Sequence, residues 1–512
     1  MLPSTRDEAI EFLMRSINYE RCDPGVGTDA SFKLHTMHWL AKRFGDPHRD
    51  YPVIHVAGTK GKGSTATMIA EMLSHSGIRT GLYTSPHLHR LEERLAIDGA
   101  MISETQLLEV VQDLARVVDS LQGEIDGGQF TGKMPTFFEL VTMAALLFFS
   151  RRQVDAAVVE VGLGGRLDST NVCHADVGVI TSISKDHIQQ LGHTLDAIAG
   201  EKAGIIKPGM RVVSGVLQSE AAEVIRQRAE EVDAELYILG RDFIIEPEKT
   251  VAANAVTSEG QASEMGAAVT QDARYHFRWQ IPPSESKKAL TPVSNLKIAL
   301  RGAHQMRNAG LAIAATQLCR ELEFSVPARS IQAGIGTARL PGRIEFLRGA
   351  MPIVVDVAHN PAAILALVGS LEEERKACRR TVVICSISVD KDAREILSPL
   401  LSFADTLILT AFQDNPRAFA PRALYEIASE AMGQAGHEGM AQLKVLPDPD
   451  AVMAWFTSAA DARDFALVTG STFLVSELRH PLQQWNQRQL PALGQAATLP
   501  SSRTTMKACR FK

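Results

Sequence analysis

Two periods of apolar residues alternate along this chain. Short β-branched or alanine-rich runs at residues 53–57, 80–84, 156–161 and 177–182 have the length and composition of buried strands. The run at 53–57 leads straight into a helical pattern over 64–74. The stretch 137–149 is apolar on nearly every side apart from Glu139 and predicts a helix buried in a core. Strands that alternate with helices predict an α/β fold with a mostly parallel sheet covered on both faces. Beyond Arg343 the pattern resumes, with strand candidates at 353–356, 381–384, 406–409 and 465–468. It predicts a second, smaller α/β domain, with the first ending near residue 340. The composition changes over 246–288, where Ala, Ser, Glu and Thr dominate without a period. That span is expected to be irregular or an inserted excursion, and the polar tail 491–512 to be loose.

Composition narrows the class. With 45% hydrophobic and 22% charged residues, 512 residues can build sizeable cores. A net charge of −6 argues against broad nucleic-acid binding but leaves room for a local basic pocket. The six cysteines (Cys22, Cys173, Cys319, Cys378, Cys385 and Cys509) form no CxxC pair and suit reduced thiols in the cytoplasm. The N-terminus lacks an apolar run behind basic residues, so no signal peptide is expected. The apolar stretch at 137–149 is shorter than the ~20 residues that span a bilayer, so no membrane span is expected.

The chemistry concentrates in a few segments. Gly58-Thr59-Lys60-Gly61-Lys62-Gly63-Ser64-Thr65 follows a strand and opens a helix, which is the setting of a phosphate loop (P-loop). Its glycines let backbone N–H groups close on phosphate oxygens, and the helix N-terminus adds a favourable dipole. Lys62 would neutralise the outer phosphates, and Ser64 or Thr65 could ligate Mg²⁺. The run from Glu160 to Asp168 puts a carboxylate at a strand's carboxyl end, where it could hold a metal, although GxGG alone also fits a solvent-facing turn. Asp186-His187 and Glu201-Lys202 carry weight only in combination. Gln305 and Asn308, three apart, share a helix face from which their amides could reach a nucleotide. Arg343 lies near the domain junction, and Asp356 and His359 precede Pro361 at a strand end, a pattern that turn chemistry alone also satisfies.

In order along the chain, HVAGTKGKGST (55–65), TSPHL (84–88), EERLAIDG (92–99), TFFE (136–139), VEVGLGGRLDSTN (159–171), EKAGIIKPG (201–209), GAHQMRNA (302–309), PGRIE (341–345), DVAHNP (356–361), DKD (390–392) and TGS (469–471) resemble the dihydrofolate synthase/folylpolyglutamate synthase family of the Mur ligase superfamily. The resemblance implies a P-loop domain followed by a Rossmann-like Mur ligase C-terminal domain. It implies an enzyme that uses ATP and two Mg²⁺ to join L-glutamate to dihydropteroate, to (tetrahydro)folate, or to both. It implies a monomer with small-molecule partners.

Position by position, the resemblance gives Gly58, Thr59, Gly61, Lys62, Gly63, Ser64, Thr65, Gln305, Asn308, Arg343 and Asp356 to the nucleotide. Ser64, Ser85, Glu160 and His187 go to the metals. Lys202 matches a lysine that the family carbamylates, and His359 faces the incoming amino acid. Arg94 resembles a residue that holds a substrate carboxylate, and Thr136, Phe138 and Asp168 resemble the pterin side. Two positions depart from the family pattern: Lys60 stands where Asn is frequent, and Leu340 where Trp often precedes Pro-Gly-Arg.

Cell-wall ligases of the same superfamily carry an extra domain ahead of the phosphate loop. The 57 residues before Gly58 are expected to be too few for one. A phosphate-loop switch protein would read guanine through Asn-Lys-x-Asp, which this chain lacks. Replacing Lys62 by Ala is predicted to abolish turnover and leave the fold intact. Ligase rate and thermal melting measured on the same preparation check it; full activity would overturn the assignment.

Overall fold

A computed structural model describes residues 2–20, 34–128, 130, 132–248, 273–281, 292–319, 326–413, 415–435 and 441–490. The first sheet contains β1 (Val53–Ala57), β2 (Thr80–Tyr83), β3 (Leu95–Ile97), β4 (Ala100–Met101), β5 (Ala156–Glu160), β6 (Val177–Ile180), β7 (Arg211–Ser214) and β8 (Glu235–Ile238). Its order is β4-β3-β2-β5-β1-β6-β7-β8. From β2 to β8 every neighbouring pair is parallel, while β3 and β4 add an antiparallel edge. The central strands β1, β5 and β6 are buried at every position, which explains their unbroken apolar runs.

One face of this sheet carries the helices Arg6–Met14, Glu104–Asp126 and Phe137–Arg151. The last of these is the buried helix expected from its composition. Its acidic residue is explained by a capping box: Glu139 N–H donates to the Thr136 hydroxyl, and the Glu139 carboxylate accepts from Thr136. The other face carries Lys62–Ser74, His304–Leu318 and Ala328–Thr337. Gly334 brings the last of these against the first so closely that a Cβ there would lie 2.5 Å from the Met72 nitrogen.

β9 (Phe243–Pro247), β10 (Tyr275–Trp279) and β11 (Val293–Leu296) form a separate antiparallel sheet. β10 corrects part of the irregular span expected over 246–288. It pairs residue for residue with β9, and Phe243, Phe277 and Trp279 pack as an aromatic cluster. Most of that span, and the tail 491–512, lie outside the described residues.

The second large sheet holds β12 (Glu345–Leu347), β13 (Ile353–Val355), β14 (Thr381–Cys385), β15 (Thr406–Leu409), β16 (Gln442–Val445) and β17 (Phe465–Thr469), in the order β12-β13-β17-β14-β15-β16. Only β12 runs antiparallel. Helices Pro361–Ser370, Ala393–Phe403 and Pro421–Ala435 cover one face, and Pro449–Ala459 and Thr472–Arg488 the other. The loops beyond the carboxyl ends of both large sheets line one cleft. No described helix is long and apolar enough to cross a membrane.

Leu467 is fully buried at the centre of β17. Leu467→Ala is expected to lower unfolding stability by about 2–5 kcal/mol, seen as a reduced denaturant midpoint.

Candidate active site

The cleft encloses about 1760 Å³. The phosphate loop, residues 58–61 between β1 and the helix Lys62–Ser74, forms its floor. Gly58 and Gly61 have φ of +145° and +84°. A Cβ on Gly58 would lie 1.9 Å from Thr181 Oγ1, and one on Gly61 2.5 Å from Asn308 Oδ1. Only glycine fits either place. The loop is pinned to the end of β6: Thr59 N–H donates to Ser182 O (2.7 Å), and the Thr181 hydroxyl donates to Lys60 O (2.6 Å).

Ser64 accepts a hydrogen bond from Gln305 Nε2 (3.2 Å), and Gln305 Oε1 accepts from Asn308 Nδ2 (2.9 Å). The two amides expected on one helix face therefore do share it, and they brace the loop from behind. Thr65, one residue further on, is fully buried inside the helix and does not line the cleft.

Glu160 ends β5 inside the cleft and is buried, and burial pushes its carboxyl pKa up. The nearby Lys62 and a hydrogen bond from Ser85 N–H (3.1 Å) act the other way. His187 opens on the cleft with 47% of its side chain exposed, yet the surrounding walls strip enough water to bring its pKa down to about 4. It is neutral near pH 7. Lys202 is buried, and this, helped by the Lys62 charge, lowers its ammonium to about 7.

Across the cleft, exposed Arg343 and half-buried His359 come from the second domain, and Arg343 contributes to the field at Glu160. Asp356 is buried, with its pKa raised by burial. Its oxygens accept from Ile344 N–H and Ala358 N–H, both at 2.8 Å, so it fastens the domain junction.

The remaining wall is apolar and aromatic. Phe138 lies over Gly162, where a Cβ would meet its ring at 2.4 Å. Thr136 lines the same wall while capping its helix. Asp168 is buried, with its carboxyl raised by burial; Oδ2 accepts from Leu163 N–H (2.8 Å) and Oδ1 from Thr170 N–H (3.0 Å) and from the Thr170 hydroxyl. Because the Thr170 hydroxyl hydrogen is spent on Asp168, the 2.8 Å contact from His55 Nε2 to Thr170 makes Nε2 the protonated nitrogen. Arg94 is also buried. Its guanidinium is held by both Glu20 oxygens (2.8 and 2.6 Å) and by His87 Nδ1 (2.8 Å). Glu20 is 74 residues away in sequence, so no spacing announced this pair.

Two family models match the chain: the Mur ligase middle domain over residues 56–316 and the Mur ligase glutamate ligase domain over 342–472. The dihydrofolate synthase/folylpolyglutamate synthase of Bacillus subtilis is 33% identical over 462 residues, covering 90% of this chain and 95% of that protein. The chain belongs to the dihydrofolate synthase/folylpolyglutamate synthase family. The Escherichia coli member is 30% identical over 428 residues, 83% of this chain and 85% of its own. Among solved structures, Mycobacterium tuberculosis folylpolyglutamate synthase complexed with ADP superposes with a TM-score of 0.76 at 29% identity, covering 93% of this chain and 98% of that one. Escherichia coli FolC in complex with DHPP and ADP gives 0.72 at 26%, covering 94% and 98%.

His55 yields a pH prediction. Burial, helped by Lys207, holds its pKa at about 3, against 6.5 when free. The unfolded chain therefore takes up the proton first. The stability His55 contributes is complete above about pH 6.5 and is lost as pH falls towards 3. His55→Gln is expected to reduce the drop in urea midpoint between about pH 7 and about pH 5.

Proposed function

We propose that this chain joins L-glutamate, with ATP, to the carboxylate of dihydropteroate, of a (tetrahydro)folate, or of both, acting as a cytoplasmic monomer. The observation that carries this reading is one cleft, in which a glycine-rich loop, a buried carboxylate, and Arg343 and His359 from the second domain come together, in a chain that aligns over 90% of its length with a dihydrofolate synthase/folylpolyglutamate synthase. The described cysteines are free thiols, in keeping with a reducing compartment.

In the reaction, an acceptor carboxylate oxygen attacks the γ-phosphorus of ATP, and ADP leaves. The product is an acyl phosphate. The amine of glutamate attacks the acyl carbon, phosphate departs, and the amine gives up a proton. Phosphoryl transfer of this kind needs alignment and charge more than covalent help. The loop amides and Lys62 hold the outer phosphates. Arg343 reaches across the cleft towards the γ-phosphate. His359 donates through Nδ1 to Val357 O (2.9 Å), which leaves its Nε2 lone pair to accept a hydrogen from the amine. With its pKa brought down to about 3 by burial, His359 orients the amine better than it deprotonates it.

Among the described residues no three His, Cys, Asp or Glu side chains converge as a ready metal cage. Mg²⁺ suits such a place, because it keeps its waters, takes phosphate oxygens and needs only one or two carboxylates. Buried Glu160 with its raised pKa is a carboxylate that a cation would stabilise. Ser64, Ser85, Glu160 and His187 are the residues that would hold two Mg²⁺, which would neutralise charge on the transferring phosphate.

Lys202, with a pKa of about 7, is in good part the free amine at neutral pH. That form adds to CO₂ and releases a proton, giving a carbamate. A buried cation thus becomes an anion able to hold a metal or its waters.

Phosphate release from Mg·ATP is expected to require both glutamate and an acceptor. Mass spectrometry is expected to find one glutamate added to dihydropteroate, to tetrahydrofolate, or to both. Release that ignores the acceptor, with no amide product, would overturn the reading. Carbamylation is expected to give a ¹³C-carbamate NMR signal with labelled CO₂ in the native chain, and none in Lys202→Ala.

A further inference from the structure

Asp186 is a carboxylate to which the reaction above gives no task, yet four groups converge on it. Oδ2 accepts from Lys60 Nζ of the phosphate loop (2.6 Å) and from Asn360 Nδ2 of the second domain (3.3 Å). Oδ1 accepts from His187 N–H (3.0 Å) and lies 3.7 Å from Lys391 Nζ, again of the second domain. The Asp186 side chain is only 9% exposed and that of Lys391 18%. Burial by itself would raise the Asp186 carboxyl pKa; Lys60 and its neighbours outweigh burial and hold it well below the usual range.

We propose that Asp186 is a positioning residue that clasps the second domain to the phosphate loop, with Lys391 as the second domain's half of the clasp. The proposal rests on the ligase reading above and adds a role for Lys60, Asp186 and the Asp390-Lys391-Asp392 segment. Asn360 gives the clasp its leverage. Its side chain caps the helix Pro361–Ser370 by accepting from Ala363 N–H (3.0 Å), and it directly follows His359. Holding Asn360 against Asp186 therefore fixes where His359 stands relative to the loop.

Lys60 supplies the matching anchor on the first domain. An Asn at this position would lack both the charge and the reach of the lysine stem. Paired cations on either side of one carboxylate, in a partly dry cleft, hold far more firmly than neutral groups.

The consequence is chemical. If the clasp opens while the acyl phosphate is present, water can take the place of the glutamate amine. Water then adds across the acyl phosphate, regenerating the carboxylate and releasing phosphate, so that ATP is hydrolysed without an amide. The clasp therefore governs how many phosphates are released per amide bond.

Lys391→Met removes the second domain's charge and leaves the helix cap and the metal residues intact. It is expected to raise the ratio of phosphate released to amide formed by about tenfold, an effect between those of losing an exposed and a buried ion pair. Lys391→Arg is expected to restore the ratio, and Asp186→Asn to raise it as Lys391→Met does. Melting temperatures of the Lys391 variants should match the parent. Hydrogen exchange over residues 358–370 is expected to quicken in Lys391→Met and in Asp186→Asn, whatever the acceptor is. An unchanged ratio, or unchanged exchange in both variants, would overturn the clasp. If the parent itself made no amide, the ligase reading would fail, and the exchange experiment would still decide the clasp.

Discussion

Everything in the cleft depends on how closely the phosphate loop lies against its neighbours. Thr181 at the end of β6 occupies the space a side chain on Gly58 would need, and Asn308 does the same at Gly61. Glycine at these two places allows both the close approach and the positive φ of +145° and +84°. The rest follows from the parallel sheet. β1, β5 and β6 are adjacent, so the loop, Glu160 and the Thr181-Ser182 anchor emerge side by side. The helix that starts with Lys62 opens on the cleft with its amino end, the end whose dipole favours anions.

Around that point, charge is arranged by burial as much as by sequence. The Lys62 charge bears on the ionisation of both Glu160 and Lys202, and all three residues line the cleft. Burial raises the Glu160 pKa and lowers that of Lys202, so each is drawn towards neutrality until a ligand arrives. Arg343 stays exposed on the opposite wall.

Much of this was legible in the chain before any coordinates. The strand 53–57, the helix behind it and the second α/β sheet follow from apolar runs that a two-sided parallel sheet demands. The loop follows from glycines set between strand and helix. Other features were not legible, for physical reasons. The antiparallel edge β3 and β4 is too short and too mixed to read by period. β10 alternates Tyr275, Phe277 and Trp279 with His276 and Arg278, a strand period that the Ala-, Ser- and Glu-rich residues around it mask. Asp186 stood beside the more conspicuous His187, and its partners Asn360 and Lys391 are brought to it only by the tertiary fold. Arg94, which resembles a residue that holds a substrate carboxylate, lines the cleft, and its contacts with Glu20 and His87 are likewise made only by the tertiary fold.

The small sheet β9–β11 has a consequence for how this chain can vary. Pro247 and Tyr275 are ladder partners, so the chain leaves the sheet and returns to it at neighbouring points. Lengthening a connection whose ends are already held together is cheap, with each doubling adding only about 0.6 kcal/mol of closure entropy. That sheet packs on the helix His304–Leu318, whose first turn carries Gln305 behind the phosphate loop, and Trp279 of β10 bonds to Gln317 near its far end (2.7 Å). Insertions and deletions between β9 and β10 are thus absorbed some three turns of helix away from the chemistry. The length of this connection and the geometry of the phosphate loop are therefore separate variables of the chain.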